Sequence, residues 1–270
     1  MFPTKSRADA VVDRVDWLTV TLLLGGVLLC YYLVPLASLL LSQPPGVVLR
    51  RLGEPDVVAA ASTSLATATA SVVVASVFGL PLAYWLAAAE GRAETLVTAV
   101  VVLPLVLPPI VSGMVLLTLV GPGTLVGEAA AANGVPLTRS LIGVVLAQTF
   151  VASPFVVVTA KAAFEGVDRN LEYASRTLGK NRLTTLRRVT LPLAWPGILA
   201  GITLAFARSI GEFGATIMLA YYPRTMPVQI WVSFTTLGLE QAFPIAVILV
   251  GVAIAALVLL TTLGRNPLAR

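Results

Sequence analysis

The sequence predicts an all-α, polytopic membrane protein, a bundle of six transmembrane helices with both termini in the cytoplasm. Three observations predict it. Of 270 residues, 57% are hydrophobic and 11% are charged, where a soluble domain carries about a quarter charged. Several uncharged runs exceed the roughly 20 residues that cross a bilayer. The cations are also distributed one-sidedly between those runs. The net charge of +5 therefore reads as membrane topology, and no nucleic-acid partner is expected. There is no His, and the single Cys30 lies inside an apolar run. An intrachain disulfide is impossible, and a His/Cys metal site is not expected.

Met1–Asp16 is short and of mixed charge. Trp17–Leu41 is the first expected span. It is too long for a signal-peptide core, and no small-residue cleavage site follows it. Ser42-Gln43-Pro44-Pro45-Gly46 breaks the helix. Val57–Ala89 is the second span. Its first half, ASTSLATATAS, is made of small and hydroxyl residues. Such residues let helix backbones approach closely in lipid; the alternative is a hydroxyl face lining a polar pathway. Pro81 is expected to kink this helix, and Glu90–Glu94 forms a tight polar turn.

Thr95–Val120 is the third span. It holds Pro104, Pro108 and Pro109 in six residues, which removes backbone donors and forces kinks. Broken backbone at membrane depth is tolerated only where it is buried in protein or faces a cavity. Pro108 and Pro109 are therefore pore or gate candidates; the alternative is a helix that starts late, with these prolines in its first turn. Leu141–Ala160 is the fourth span, Pro196–Ala220 the fifth, and Ala242–Leu263 the sixth. Gly264–Arg270 is a short basic tail.

With the N-terminus inside, thirteen cations fall on the cytoplasmic side. Four, Arg50, Arg51, Arg139 and Arg224, fall outside, and Arg208 lies within a span. That asymmetry fixes the orientation and places Glu165–Pro192 in the cytoplasm. This segment carries Arg169, Arg176, Lys180, Arg182, Arg187 and Arg188. A helix starting at Asn170 as N-cap, with Glu172 in its first turn, is expected. Gly179 then makes a bend, a second short helix follows, and Leu191-Pro192 ends the segment. Such a loop either docks a partner subunit or rests on anionic lipid.

In the fifth span, Arg208 and Glu212 are four apart and share a helix face. A charge at mid-membrane costs at least about 2.5–3.5 kcal/mol, so the two are expected to pair. They either pin the helix or line a gate, with Gly211 and Gly214 allowing a bend. Enzymatic readings lack an inventory: there is no Gly-x-x-x-x-Gly-Lys-Ser/Thr phosphate loop, no His base and no intramembrane carboxylate pair.

Glu165–Pro192 resembles the cytoplasmic loop of ABC importer permeases, whose pattern is Glu-Ala-Ala, a glycine, then Ile-x-Leu-Pro. Here Gly179 is followed by Val189-Thr190-Leu191-Pro192. The triplet positions are Tyr173-Ala174-Ser175, and Glu172 falls one residue early. Phe206–Met218, with Arg208, Gly211, Glu212, Phe213 and Gly214, is similar to the molybdate/tungstate branch of these permeases, as are Leu103–Ile110 and Ala220–Pro223. The resemblance covers about Ser62 to Leu263. It implies one permease domain over 1–270, with 165–192 as coupling loop and Phe213 among the gate residues. It implies a second copy of the chain, two ATP-binding cassette subunits and an extracytoplasmic oxyanion-binding protein, in a prokaryotic cell membrane. The chain itself needs no cofactor on this reading, since ATP and Mg²⁺ belong to the cassette subunits. Sulfate or thiosulfate is the alternative substrate within the class. Outside it stands an ion-gradient secondary transporter, which would need inverted repeats and ionisable residues in both halves.

Overall fold

The computed structural model describes the backbone of residues 7–263 and the side chains of residues 17–262. The expectations for the first residues and the basic tail, including Lys5, Arg265 and Arg270, lie outside the described residues, as do the side chains of Arg7 and Arg14. The described residues contain helices and no strand. They divide into two units at Leu49/Arg50.

The first unit contains α1 (Arg7–Leu41). Its segment Trp17–Leu41 is long and apolar enough to cross a membrane, and most of its large side chains, from Trp17 to Leu41, are exposed. A short helix, α2 (Pro45–Leu52), carries the chain across the division.

The second unit is organised on three long helices, α3 (Pro55–Ala88), α7 (Leu141–Glu165) and α10 (Leu191–Ile210). α7 packs on both of the others. The hydroxyl-rich stretch of α3 takes the close-packing role. Ser64, Thr67, Ala68, Ser71, Val72 and Ala75 are buried along one face, at the three- and four-residue spacing of a helix side. Ala68, Ala75, Ala152 and Ala205 meet in the central cluster, where small side chains bring α3, α7 and α10 together. Thr67 and Ser71 return their hydroxyls to the carbonyls of Thr63 and Thr67, both at 2.8 Å.

Between α3 and α7 lie α4 (Arg92–Val106), α5 (Pro109–Val120) and α6 (Leu125–Ala132). The third expected span is not one straight crossing. α4 and α5 meet at a bend of 118°, because Pro108 is extended and Pro109 opens the next helix. After α7 come α8 (Arg169–Thr177) and α9 (Arg182–Thr185), then a π turn (Leu186–Thr190) that runs into α10. The expectation that Leu191-Pro192 ends the loop is therefore corrected: Arg182–Ile210 is a 29-residue helical rod. The wide turn, closed by Leu191 N–H donating to Leu186 O, lets the helix pass through Pro192. The fifth span also ends earlier than Ala220, at Ile210. α11 (Gly214–Leu219), α12 (Met226–Leu237) and α13 (Leu239–Leu263) complete the chain. Among the described residues, five helices are long and apolar enough to cross a membrane, six when α4 and α5 count as one crossing.

Candidate coupling loop and helix-break site

Val167 is buried in the cluster that joins the ends of α3 and α7 to the start of α10. The chain leaves that cluster at Asp168, whose Oδ1 accepts the Asn170 N–H at 2.9 Å. Asp168, not Asn170, is thus the N-cap of α8. Both residue types cap helices; the anchoring of Val167 decides between them. At its other end, Gly179 has φ +78°, the left-handed conformation glycine adopts without penalty. Lys180 N–H reaches Ser175 O at 3.2 Å and Gly179 N–H reaches Arg176 O at 2.9 Å, the Schellman stop. Asn181 then caps α9, accepting Thr184 N–H at 2.8 Å.

Within the loop, Glu172 and Ser175 face inward. Glu172 Oε1 accepts the Thr190 hydroxyl at 2.5 Å, and Oε2 lies 3.8 Å from Arg176 Nη2. The Ser175 and Thr185 hydroxyls are 3.0 Å apart. Two contacts therefore clamp α8 onto the base of the rod. Tyr173 (57% exposed), Leu178 (80%) and Ala174 face outward. Leu191 packs against the buried cluster, and Pro192 is exposed. Lys161, on the last turns of α7, reaches Glu94 Oε1 at 2.9 Å and Glu165 Oε1 at 3.2 Å, tying the start of α4 to the loop's root.

At the far end of the rod the helix stops at Gly211. Glu212 is 1% exposed and Arg208 27%. Glu212 Oε1 accepts Ala215 N–H at 2.7 Å, satisfying a free donor of α11. Its Oε2 lies 2.5 Å from Arg208 Nη1. The expected pair therefore forms, and its carboxylate also restarts the helix. Gly214 lies against the other broken segment. A Cβ there would come 2.7 Å from Pro109 Cβ and 2.9 Å from Ile110 N; one at Gly113 would come 2.8 Å from Ala215 O. The two proline- and glycine-rich candidates, a hundred residues apart in sequence, thus form one junction. Phe213 meets Trp231 in a tilted pair, with centroids 5.7 Å apart, and Trp231 meets Phe234 likewise at 5.9 Å.

Several residues here were not singled out by the sequence reading. Gln148 is fully buried on α7. Its Nε2 donates to Ser209 O at 3.0 Å, and its Oε1 accepts the Ser71 hydroxyl at 3.1 Å. It bridges α3, α7 and α10 just before the break. The signal was available: an amide inside an apolar span must find partners. Ser64 Oγ accepts Met226 N–H at 2.8 Å and seats the start of α12; Thr225, with Pro227 just after it, was the sequence sign of that helix.

The model of the family described as "binding-protein-dependent transport system inner membrane component" matches residues 56–266. A Haloferax volcanii protein named as a probable molybdenum ABC transporter permease is 59% identical over 265 residues, covering 97% of each chain. A Pyrococcus furiosus molybdate/tungstate transport system permease is 37% identical over 261 residues, covering 94% of this chain and all of its own. Among solved structures, a bacterial ABC transporter that imports the acidic polysaccharide alginate aligns with a TM-score of 0.70 at 17% identity, over 96% of this chain and 99% of its own. That last likeness concerns the fold alone; the family match over most of the length and the 59% identical relative make the assignment. The chain belongs to the inner-membrane permease components of binding-protein-dependent ABC transport systems.

Proposed function

We propose that this chain is the pore subunit of an ATP-driven importer for molybdate and tungstate, working as two identical copies in a prokaryotic cell membrane. Two ATP-binding cassette subunits, which carry ATP and Mg²⁺, dock on Glu165–Pro192 from the cytoplasm. An extracytoplasmic oxyanion-binding protein delivers the substrate to the opposite face. The substrate class rests on the names of the relatives. The orientation rests on the one-sided distribution of cations.

The clamped loop carries the reading. Its exposed tip, Tyr173, Ala174, Leu178 and Gly179, is held to the rod by Glu172–Thr190 and Ser175–Thr185. The rod is 29 residues long, or about 44 Å at 1.5 Å per residue. A displacement of the tip moves the rod, and the rod ends at Arg208, Gly211 and Glu212. The junction of Pro108 and Pro109 with Phe213 and Gly214 is the gate. Glu212 stays in place as the cap of α11. Arg208, partly exposed, offers its charge to the passing oxyanion. Such an encounter has to be weak, because conduction requires release.

The test is ATP hydrolysis by the chain with its co-purifying subunits in lipid, stimulated by binding protein loaded with tungstate, molybdate or sulfate. Stimulation by the first two alone is expected. Stimulation by sulfate moves the substrate, and the absence of any associated ATPase overturns the reading.

A further inference from the structure

The loop and the ends of α3 and α7 enclose a cavity of about 560 Å³, within the roughly 300–1,000 Å³ of small-molecule sites. Arg169, Arg176 and Arg182 line it, with Glu165 and Glu172. Glu165 is held by Lys161 and Glu172 by Arg176. Among the described residues, Arg169 and Arg182 have no carboxylate partner. The lining therefore carries a net charge of +1, with Arg169 and Arg182 the two cations that hold no carboxylate. Its other wall is apolar: Tyr84 and Phe164 meet edge to face at 5.4 Å, beside Leu183 and Leu186.

The level of the cavity matters as much as its charge. Tyr84 and Ala88 are on the last turns of α3, and Glu165 is the last residue of α7, so the cavity sits where two spans reach the membrane surface. Trp85, exposed beside Tyr84, is the residue type that marks this interface.

We infer that this cavity binds the phosphate of an anionic phospholipid headgroup, with Arg169 and Arg182 as its ligands and Tyr84 and Phe164 against the glycerol and upper acyl chain. The inference rests on the cytoplasmic placement of the loop in the proposed function. Basic pockets between helices on that face suit such headgroups. A free inorganic oxyanion would share the phosphate chemistry but has no use for the apolar wall. The lipid sits beside Glu172, Tyr173 and Arg176, so it braces the clamp from within, while Ala174, Leu178 and Gly179 of the tip stay free for a cassette subunit.

The experiment counts phospholipid retained by the assembled transporter, purified from phosphatidylglycerol/phosphatidylcholine membranes, by native mass spectrometry. Retention of phosphatidylglycerol over phosphatidylcholine is expected. At about 5-fold per arginine, the double variant Arg169→Gln, Arg182→Gln is expected to weaken retention about 25-fold. The control Arg187→Gln, Arg188→Gln removes the same charge from exposed loop positions outside the cavity and should retain the lipid. Equal loss in both doubles would assign the effect to the loop's overall charge and overturn the site. So would displacement of the lipid by inorganic phosphate or molybdate, or retention without headgroup preference. Loss of the cassette subunits from the first double, with lipid retained, would make these arginines docking residues and also overturn it. Lipid is also counted on the permease chains released from the assembly in the spectrometer, so a failure of the cassette-docking reading is read separately.

Discussion

Glu172 and Glu212 stand at the two ends of one helical rod, and each joins a short helix to it. Glu172 works in a partly exposed loop, with a threonine hydroxyl as its main partner and an arginine 3.8 Å away. Glu212 is enclosed, caps α11 through Ala215 N–H and holds Arg208. Around Glu172 the contacts are polar and few. Around Glu212 the helices touch backbone to backbone at Gly113 and Gly214. The two ends are therefore vulnerable to different changes. The enclosed end is sensitive to any change of charge or volume. The loop end tolerates substitution in stability while losing its mechanical connection.

The largest expected effect is at the enclosed end. Arg208→Ala leaves a nearly fully buried carboxylate without its counter-charge, and breaking such a pair costs about 3–5 kcal/mol. Glu212→Ala leaves a cation that is partly exposed, and should cost less despite the lost cap. The double variant should be more stable than Arg208→Ala alone. Thermal unfolding of all three in lipid checks the order; additive losses would reject the coupling. Next comes Gly214→Ala. Its methyl group would press on Pro109 and Ile110, and overpacking of this kind costs about 1–3 kcal/mol. A similar loss, about 1–3 kcal/mol, is expected for Gln148→Leu, which removes two buried hydrogen bonds at about 0.5–1.5 kcal/mol each, although Ser71 keeps Thr67 O and Ser209 O keeps Glu212 N–H as partners. The smallest effect on stability is at the loop. Ser175→Ala should cost about 0.5–1.5 kcal/mol, and a loss as large as that at Arg208 would erase the contrast between the two ends.

The two ends were unequally legible in the sequence. Composition and uncharged runs located the spans, because the bilayer imposes its thickness on every crossing. The loop was legible as a loop, and Gly179 as its bend, because a local signal encodes a local turn. The cap at Asp168 was missed in favour of Asn170: the deciding fact, the burial of Val167, is tertiary. Pro192 reads as a stop and is not one, since a π turn five residues long makes room for it. At the break, Pro108, Pro109, Gly211 and Gly214 were each singled out for their own backbone chemistry. That they face one another was not legible, because nothing local records which distant helix a glycine admits. Gln148 was overlooked for the same reason: its partners, Ser71 and Ser209, come from two other helices.

The central claim is that the loop moves the gate through the clamp, and the most direct measurement removes the clamp alone. In Glu172→Ala, Ser175→Ala, the assembled complex is assayed for ATP hydrolysis with and without binding protein loaded with molybdate. The cassette subunits should still co-purify, and stimulation by the loaded binding protein should be lost. Stimulation at the wild-type level, with both clamp contacts gone, would contradict the central claim.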